Sequence, residues 1–188
     1  MTHLKTLFSR ALLALSLLAG AGFASAGPVY HVALDTTGTS GAGFLQIDFL
    51  PFATSDVATA TISGLDGAFT GTPDLVNVAQ SGGAYTFSTD AFSELFQSIT
   101  LGGTFGFDVA FGGVPADGGS ATLSVSLLDS PTTYLAFPAA QISLAAGMPP
   151  AIDADPAFAA VNPVPEPADW LLVATGLLLL TALQRRRA

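Results

Sequence analysis

From Phe105 to Phe111 every second side chain is large and apolar: Phe105, Phe107, Val109 and Phe111 alternate with Gly106, Asp108 and Ala110. That period of two belongs to a strand with one face buried and the other free, and no helix tolerates it. Leu123, Val125 and Leu127 repeat the pattern against Thr122, Ser124 and Ser126. Val-Tyr-His-Val-Ala-Leu-Asp at 29–35 and Gly-Phe-Leu-Gln-Ile-Asp-Phe-Leu at 43–50 read the same way. Shorter candidates lie at 58–63, 84–88, 133–137 and 141–144. Turn chemistry separates them, as at Gly102-Gly103, Gly112-Gly113-Val114-Pro115 and Asp117-Gly118-Gly119. Short strands so punctuated predict an all-β domain, an antiparallel β-sandwich of jelly-roll-like form. One segment resists. At 91–97, Phe92, Leu95 and Phe96 stand at helical spacing behind Ser88 or Asp90 as a cap, which predicts a short crossing helix.

The two ends follow different rules. Lys5 and Arg10 precede an apolar run at 11–23 and the small residues Ala24-Ser25-Ala26. These are the parts of a secretory signal peptide, with small side chains at Ala24 and Ala26 directing cleavage before Gly27. The expected route is the Sec translocon and signal peptidase. Near the other end, residues 170–183 are apolar except for Thr175, Gly176 and Thr181, and the run is shorter than the roughly 20 residues of an ordinary span. Trp170 suits the outer interface of such a single transmembrane helix, and Arg185, Arg186 and Arg187 hold the far end in the cytoplasm.

Just before that run stands Val164-Pro165-Glu166-Pro167. With the short helix and the arginine cluster it resembles the PEP-CTERM sorting signal, a match in order, spacing and position over about 25 residues. The resemblance implies recognition by exosortase, a membrane-embedded cysteine transpeptidase of Gram-negative bacteria that often make exopolysaccharide. It implies only transient residence in the inner membrane, then removal of the tail near the Pro-Glu-Pro. The prolines hold an extended backbone that cannot join the helix, leaving Glu166 at the membrane face. Asp169 departs from the pattern by adding a second acid. The body resembles a small uncharacterised family of PEP-CTERM proteins through Val29-Tyr30-His31-Val32 to Leu34-Asp35-Thr36, Gly43-Phe44-Leu45 with Asp48-Phe49, and 105–109. That family has no assigned activity and implies a shared domain alone.

The expected organisation is a signal peptide at 1–26, a β-sandwich at 27–145, an Ala/Pro-rich extended linker at 146–163 and the sorting tail at 164–188. About 135 residues between the addresses suffice for one core.

Charge narrows the chemistry. All five basic residues, Lys5, Arg10 and Arg185 to Arg187, lie at the ends, and twelve of the fourteen acids lie between Gly27 and Asn162. Such a body repels phosphate, which argues against nucleic acid as a partner. The chain has no cysteine, so thiol catalysis and thiolate metal sites are excluded and no disulfide supports the fold.

Catalytic residue types are scarce. His31 is the body's one histidine and reads as a structural or surface side chain. Asp35-Thr36-Thr37-Gly38 differs from the Asp-Thr-Gly loop of aspartic proteases by one inserted threonine and has no second copy, so it reads as a strand end and turn. Glu94 is the body's one glutamate, and the sequence selects no aspartate to pair with it. Asp153-Ala154-Asp155 and Asp117-Gly118-Gly119 could offer oxygen ligands to calcium, but neither fits a known loop, and the metal is left unknown. Tyr30, Tyr85 and Tyr134 remain as candidate aromatic platforms for a sugar, though each reads more simply as a half-buried core residue.

The expectation is therefore an exported, non-enzymatic cell-surface or extracellular-matrix protein without catalytic residues or cofactor, with exopolysaccharide as a further candidate partner. A carbohydrate- or calcium-binding module, or a carboxylate-dependent glycoside hydrolase, are the alternatives.

Overall fold

The computed structural model describes residues 27–52, 57–113 and 119–164. The expected signal segment, the segment from Pro165 through the apolar run to the terminal arginines, and Asp117-Gly118 lie outside the described residues. Twelve strands and no helix occur among the described residues. They are β1 (Val29–Asp35), β2 (Gly41–Phe52), β3 (Thr59–Asp66), β4 (Phe69–Val76), β5 (Val78–Ser81), β6 (Ala84–Ser88), β7 (Ser93–Leu101), β8 (Thr104–Gly112), β9 (Ser120–Ser130), β10 (Thr133–Ala145), β11 (Ala151–Ala154) and β12 (Ala159–Pro163).

They build two six-stranded antiparallel sheets. The first has the order β12-β1-β8-β3-β6-β5 and the second β11-β10-β9-β2-β7-β4. From β1 to β4 the chain changes sheet at each step, so the core is closed by strands that alternate between layers. Alternation does what the sequence demands of it. Tyr30, Val32 and Leu34 of β1 are buried opposite Val109, Phe107 and Phe105 of β8. Leu45, Ile47 and Phe49 of β2 are buried opposite Leu127, Val125 and Leu123 of β9. The inner faces meet through ring contacts between sheets, Phe49 to Phe111 at 6.3 Å and Phe69 to Phe105 at 5.5 Å. Phe49, Phe87 and Phe107 are fully buried, each contributing about 2–3 kcal/mol of apolar transfer.

Two expectations are corrected. Residues 91–97 hold no helix: β7 starts at Ser93, and Ser93, Leu95, Gln97, Ile99 and Leu101 alternate inward. The helical spacing was produced by two aromatics outside the core. Phe92 is exposed, and Phe96 lies on the outer face stacked on Phe44 at 5.0 Å. The segment 146–163 is also more than a linker. It carries β11 and β12, which add the last strand to one edge of each sheet. Short, alanine-rich and largely exposed, these strands lack the alternation that marks a buried one.

Edges explain the remaining surprises. β4 contains Gly71 and Pro73, which would interrupt a central strand. It lies at the edge of the second sheet and slips register between Thr70 and Asp74, where its pairing to β7 is irregular. The β5–β6 hairpin turns through Gly82 and Gly83, both at positive φ (58° and 82°), as two-residue hairpin turns with the strands' own twist require.

Candidate functional site

The outer face of the second sheet collects polar and aromatic side chains. Because Leu45, Ile47 and Phe49 point inward, Phe44, Gln46 and Asp48 of β2 point out. On β7 the same rule turns Glu94 and Phe96 outward, and on β9 it turns Thr122, Ser124 and Ser126 outward. Antiparallel register then aligns them in rungs. Glu94 opposes Asp48, Asp48 opposes Ser124, Ser124 opposes Gln141, and Gln141 opposes Asp153. The next rung runs from Phe96 through Gln46 to Ser126.

Gln46 organises the centre. Its Nε2 donates to both oxygens of Asp48 and to Glu94 Oε2, each at 3.2 Å. Its Oε1 accepts from the Tyr134 hydroxyl at 3.2 Å. Tyr134 starts on β10 and so reaches across β9 to β2. Its ring packs against Phe137 with centroids 4.6 Å apart, and these two are 45 % and 66 % exposed. Asp48 is buried, and its pKa is pushed up to about 6. Burial is the main cause, and the neighbouring Glu94 charge adds to it, against the opposing Gln46 hydrogen bond.

A break in the ladder sits beside this cluster. Ala136 pairs with Leu127 and Ala140 with Val125, so residues 137–139 bulge without partners on β9. Pro138 has no N–H to give that ladder. The β9 residue facing the bulge is Ser126, wholly buried, whose Oγ has no hydrogen-bond partner among the described residues.

The other residues singled out in the sequence are placed elsewhere. His31 lies on the outer face of the first sheet, half exposed, and donates from Nδ1 to Asp108 Oδ1 at 2.7 Å across the β1–β8 rung. Asp35 accepts from the Thr37 amide and hydroxyl at 2.8 and 2.6 Å, and the hydroxyl bond does most to lower its pKa. Thr36 beside it is buried. Its hydroxyl donates to the Gly103 carbonyl at 2.8 Å and accepts from the amides of Gly102 and Gly103. That loop therefore staples the β1–β2 crossing to the β7–β8 crossing. Asp155 accepts from the Ala157 amide at 2.9 Å, fixing the turn before β12, while Asp153 pairs with Gln141. No group of three metal-ligating side chains occurs among the described residues. Tyr30 is a core residue set edge-on to Phe111 at 6.2 Å, and burial raises its pKa. Tyr85 is half-buried and accepts from Gln80 at 3.2 Å.

The two ends of the described body lie side by side. β1 begins two residues after Gly27, and β12 lies antiparallel beside it, ending at Pro163. The Val164 amide donates to the Val29 carbonyl at 2.8 Å. Of the predicted motif residues, Val164 is described; Pro165, Glu166, Pro167, Trp170 and Arg185 to Arg187 lie outside, as do Ala24 and Ala26.

Comparison with known proteins finds no matching family model, no similar curated protein and no similar solved structure.

Proposed function

We propose that this chain is an exported, non-enzymatic protein of the cell surface or extracellular matrix, sorted and processed by exosortase through its PEP-CTERM-type tail. One observation carries the reading. The folded body begins two residues after the expected signal cut and ends at the residue before Val164, so the sandwich fills the interval between the two addresses. The delivered body has a jelly-roll-like plan, supported by the order β1-β8-β3-β6 in one sheet and β2-β7-β4 in the other.

A non-enzymatic role is supported by the distance between the body's one histidine and its paired carboxylates. Asp48 and Glu94 lie on the outer face of one sheet and His31 on that of the other, while the body supplies no cysteine, lysine or arginine. In this reading the chain crosses by the Sec translocon, loses residues 1–26 to signal peptidase, and rests in the inner membrane only until tail removal. Replacing Glu166 by Ala, or Pro165 and Pro167 together, should leave the body membrane-bound and unprocessed. Delivery of an unchanged amount to the surface would overturn the sorting role.

A further inference from the structure

We infer that the outer face of the second sheet binds an uncharged, hydroxyl-rich polysaccharide, held between the Tyr134–Phe137 ring pair and the Gln46–Asp48–Glu94 cluster. The inference rests on the reading of this chain as a surface or matrix protein and names the ligand class its body would meet there.

Three independent features point to such a ligand. First, the exposed Tyr134 and Phe137 rings offer flat apolar surface beside fixed polar groups. A pyranose matches that combination, with a C–H face for the ring and hydroxyls at its rim. Aromatic residues serve such contacts well because they bury large area with few rotatable bonds. Second, Asp48 and Glu94 sit on one rung, oriented by one amide. Carboxylates have more acceptor sites than a single Gln46 nitrogen fills, and neighbouring hydroxyls of a sugar can donate to those remaining. Third, Ser126 is buried with an unused hydroxyl, lying between Gln46 on one side and the bulge carrying Phe137 on the other. An unmet buried hydroxyl costs about 1–3 kcal/mol, and a ligand hydroxyl that reached it beside the bulge would recover it.

Charge and size select among occupants. The described residues include no lysine or arginine, so nothing here neutralises a uronate, sulfate or phosphate, and the two carboxylates repel one. Two exposed rings fall well short of the roughly 800 Å² per partner that a stable protein interface buries. Four strands at about 4.8 Å spacing carry the aromatic and polar side chains across about 14 Å, the length of a short oligosaccharide.

The test is affinity electrophoresis of the full-length protein in native gels containing dextran, mannan, xylan or mixed-linkage β-glucan, with alginate as the anionic control. At least one neutral polymer should retard the protein and alginate should not. Tyr134→Ala should weaken that binding about tenfold, and Phe137→Ala several-fold. His31→Ala, on the opposite sheet, should leave it unchanged. Phe137 is so exposed that its variant stays folded and carries the test should Tyr134→Ala unfold. Retardation by none of the four polymers, equal retardation by alginate, or wild-type binding by Phe137→Ala would overturn the proposal. So would binding to phosphatidylcholine vesicles in place of polymer, or a dimer that Phe137→Ala abolishes. Glu166→Ala should block processing and leave binding intact, so loss of either property is separable from the other.

Discussion

Asp48 on β2 and Glu94 on β7 face each other across one rung of the second sheet, and a single nitrogen, Nε2 of Gln46, donates to both carboxylates. Two acids are thus held together on a sheet that supplies no cation.

This pair makes stability depend on pH in an unusual direction. The folded state raises the pKa of Asp48 from 3.8 to about 6, so it binds the proton more tightly than the unfolded chain does. The resulting stabilisation is complete below about pH 3.8 and is lost as pH rises through about 6. Urea unfolding between pH 4.5 and 7.5 should therefore show a more stable protein at the acid end, by at most about 2 kcal/mol. Asp48→Asn should flatten that dependence and stabilise the protein at pH 7.5. Asp35 works oppositely, since its lowered pKa gives stability that is lost as pH falls below its ordinary value of 3.8, outside this window. A stability that falls steadily from pH 7.5 to 4.5 would contradict the account of Asp48.

Thr36 links two crossings between the sheets through three hydrogen bonds of its hydroxyl. Thr36→Val keeps the shape but removes the hydroxyl from the amides of Gly102 and Gly103, while the Gly103 carbonyl keeps its bond from the Thr36 amide, so it should cost about 2 kcal/mol. Thr36→Ser should recover most of that loss. Equal stability of the valine variant and the native protein, by urea midpoint, would show that the loop holds nothing together.

Phe107 is fully buried and Phe137 is mostly exposed, though both are strand phenylalanines. Phe107→Ala should cost about 4 kcal/mol through lost transfer energy and the cavity left behind. Phe137→Ala should change stability by less than about 0.5 kcal/mol. Similar losses at both sites would mean the bulge on β10 packs as core.

The strands legible in the sequence were those with one face in the core. β1 and β6 match their expected spans, and β8 and β9 extend theirs by a few residues, because burial on one side imposes the period of two. Residues 133–137 and 141–144, expected as two strands, form the single β10, bent by the bulge at Phe137 and Pro138. β4, β5, β11 and β12 were missed because they are short or lie at edges, where glycine, proline and exposed side chains are tolerated. The helix expected at 91–97 failed for another reason. Three apolar residues fitted a helix by count, but the alternation continuing to Ile99 and Leu101 decides for a strand.

The candidate site was less legible still. Glu94 stood out as the body's one glutamate, yet its neighbours come from β2 and β10 through pairing that only register determines. The outward alternation of Gln46 and Asp48 was the available signal. Nothing local marked Ser126, whose isolation arises from the bulge on the strand beside it.

The account's central claim, export followed by removal of the tail, is tested most directly by the intact mass of the protein recovered from the cell surface. It predicts a chain that starts at Gly27, ends near Val164-Pro165-Glu166-Pro167 and lacks residues 170–187. A surface species that retains Trp170 and the arginines Arg185, Arg186 and Arg187 would contradict it.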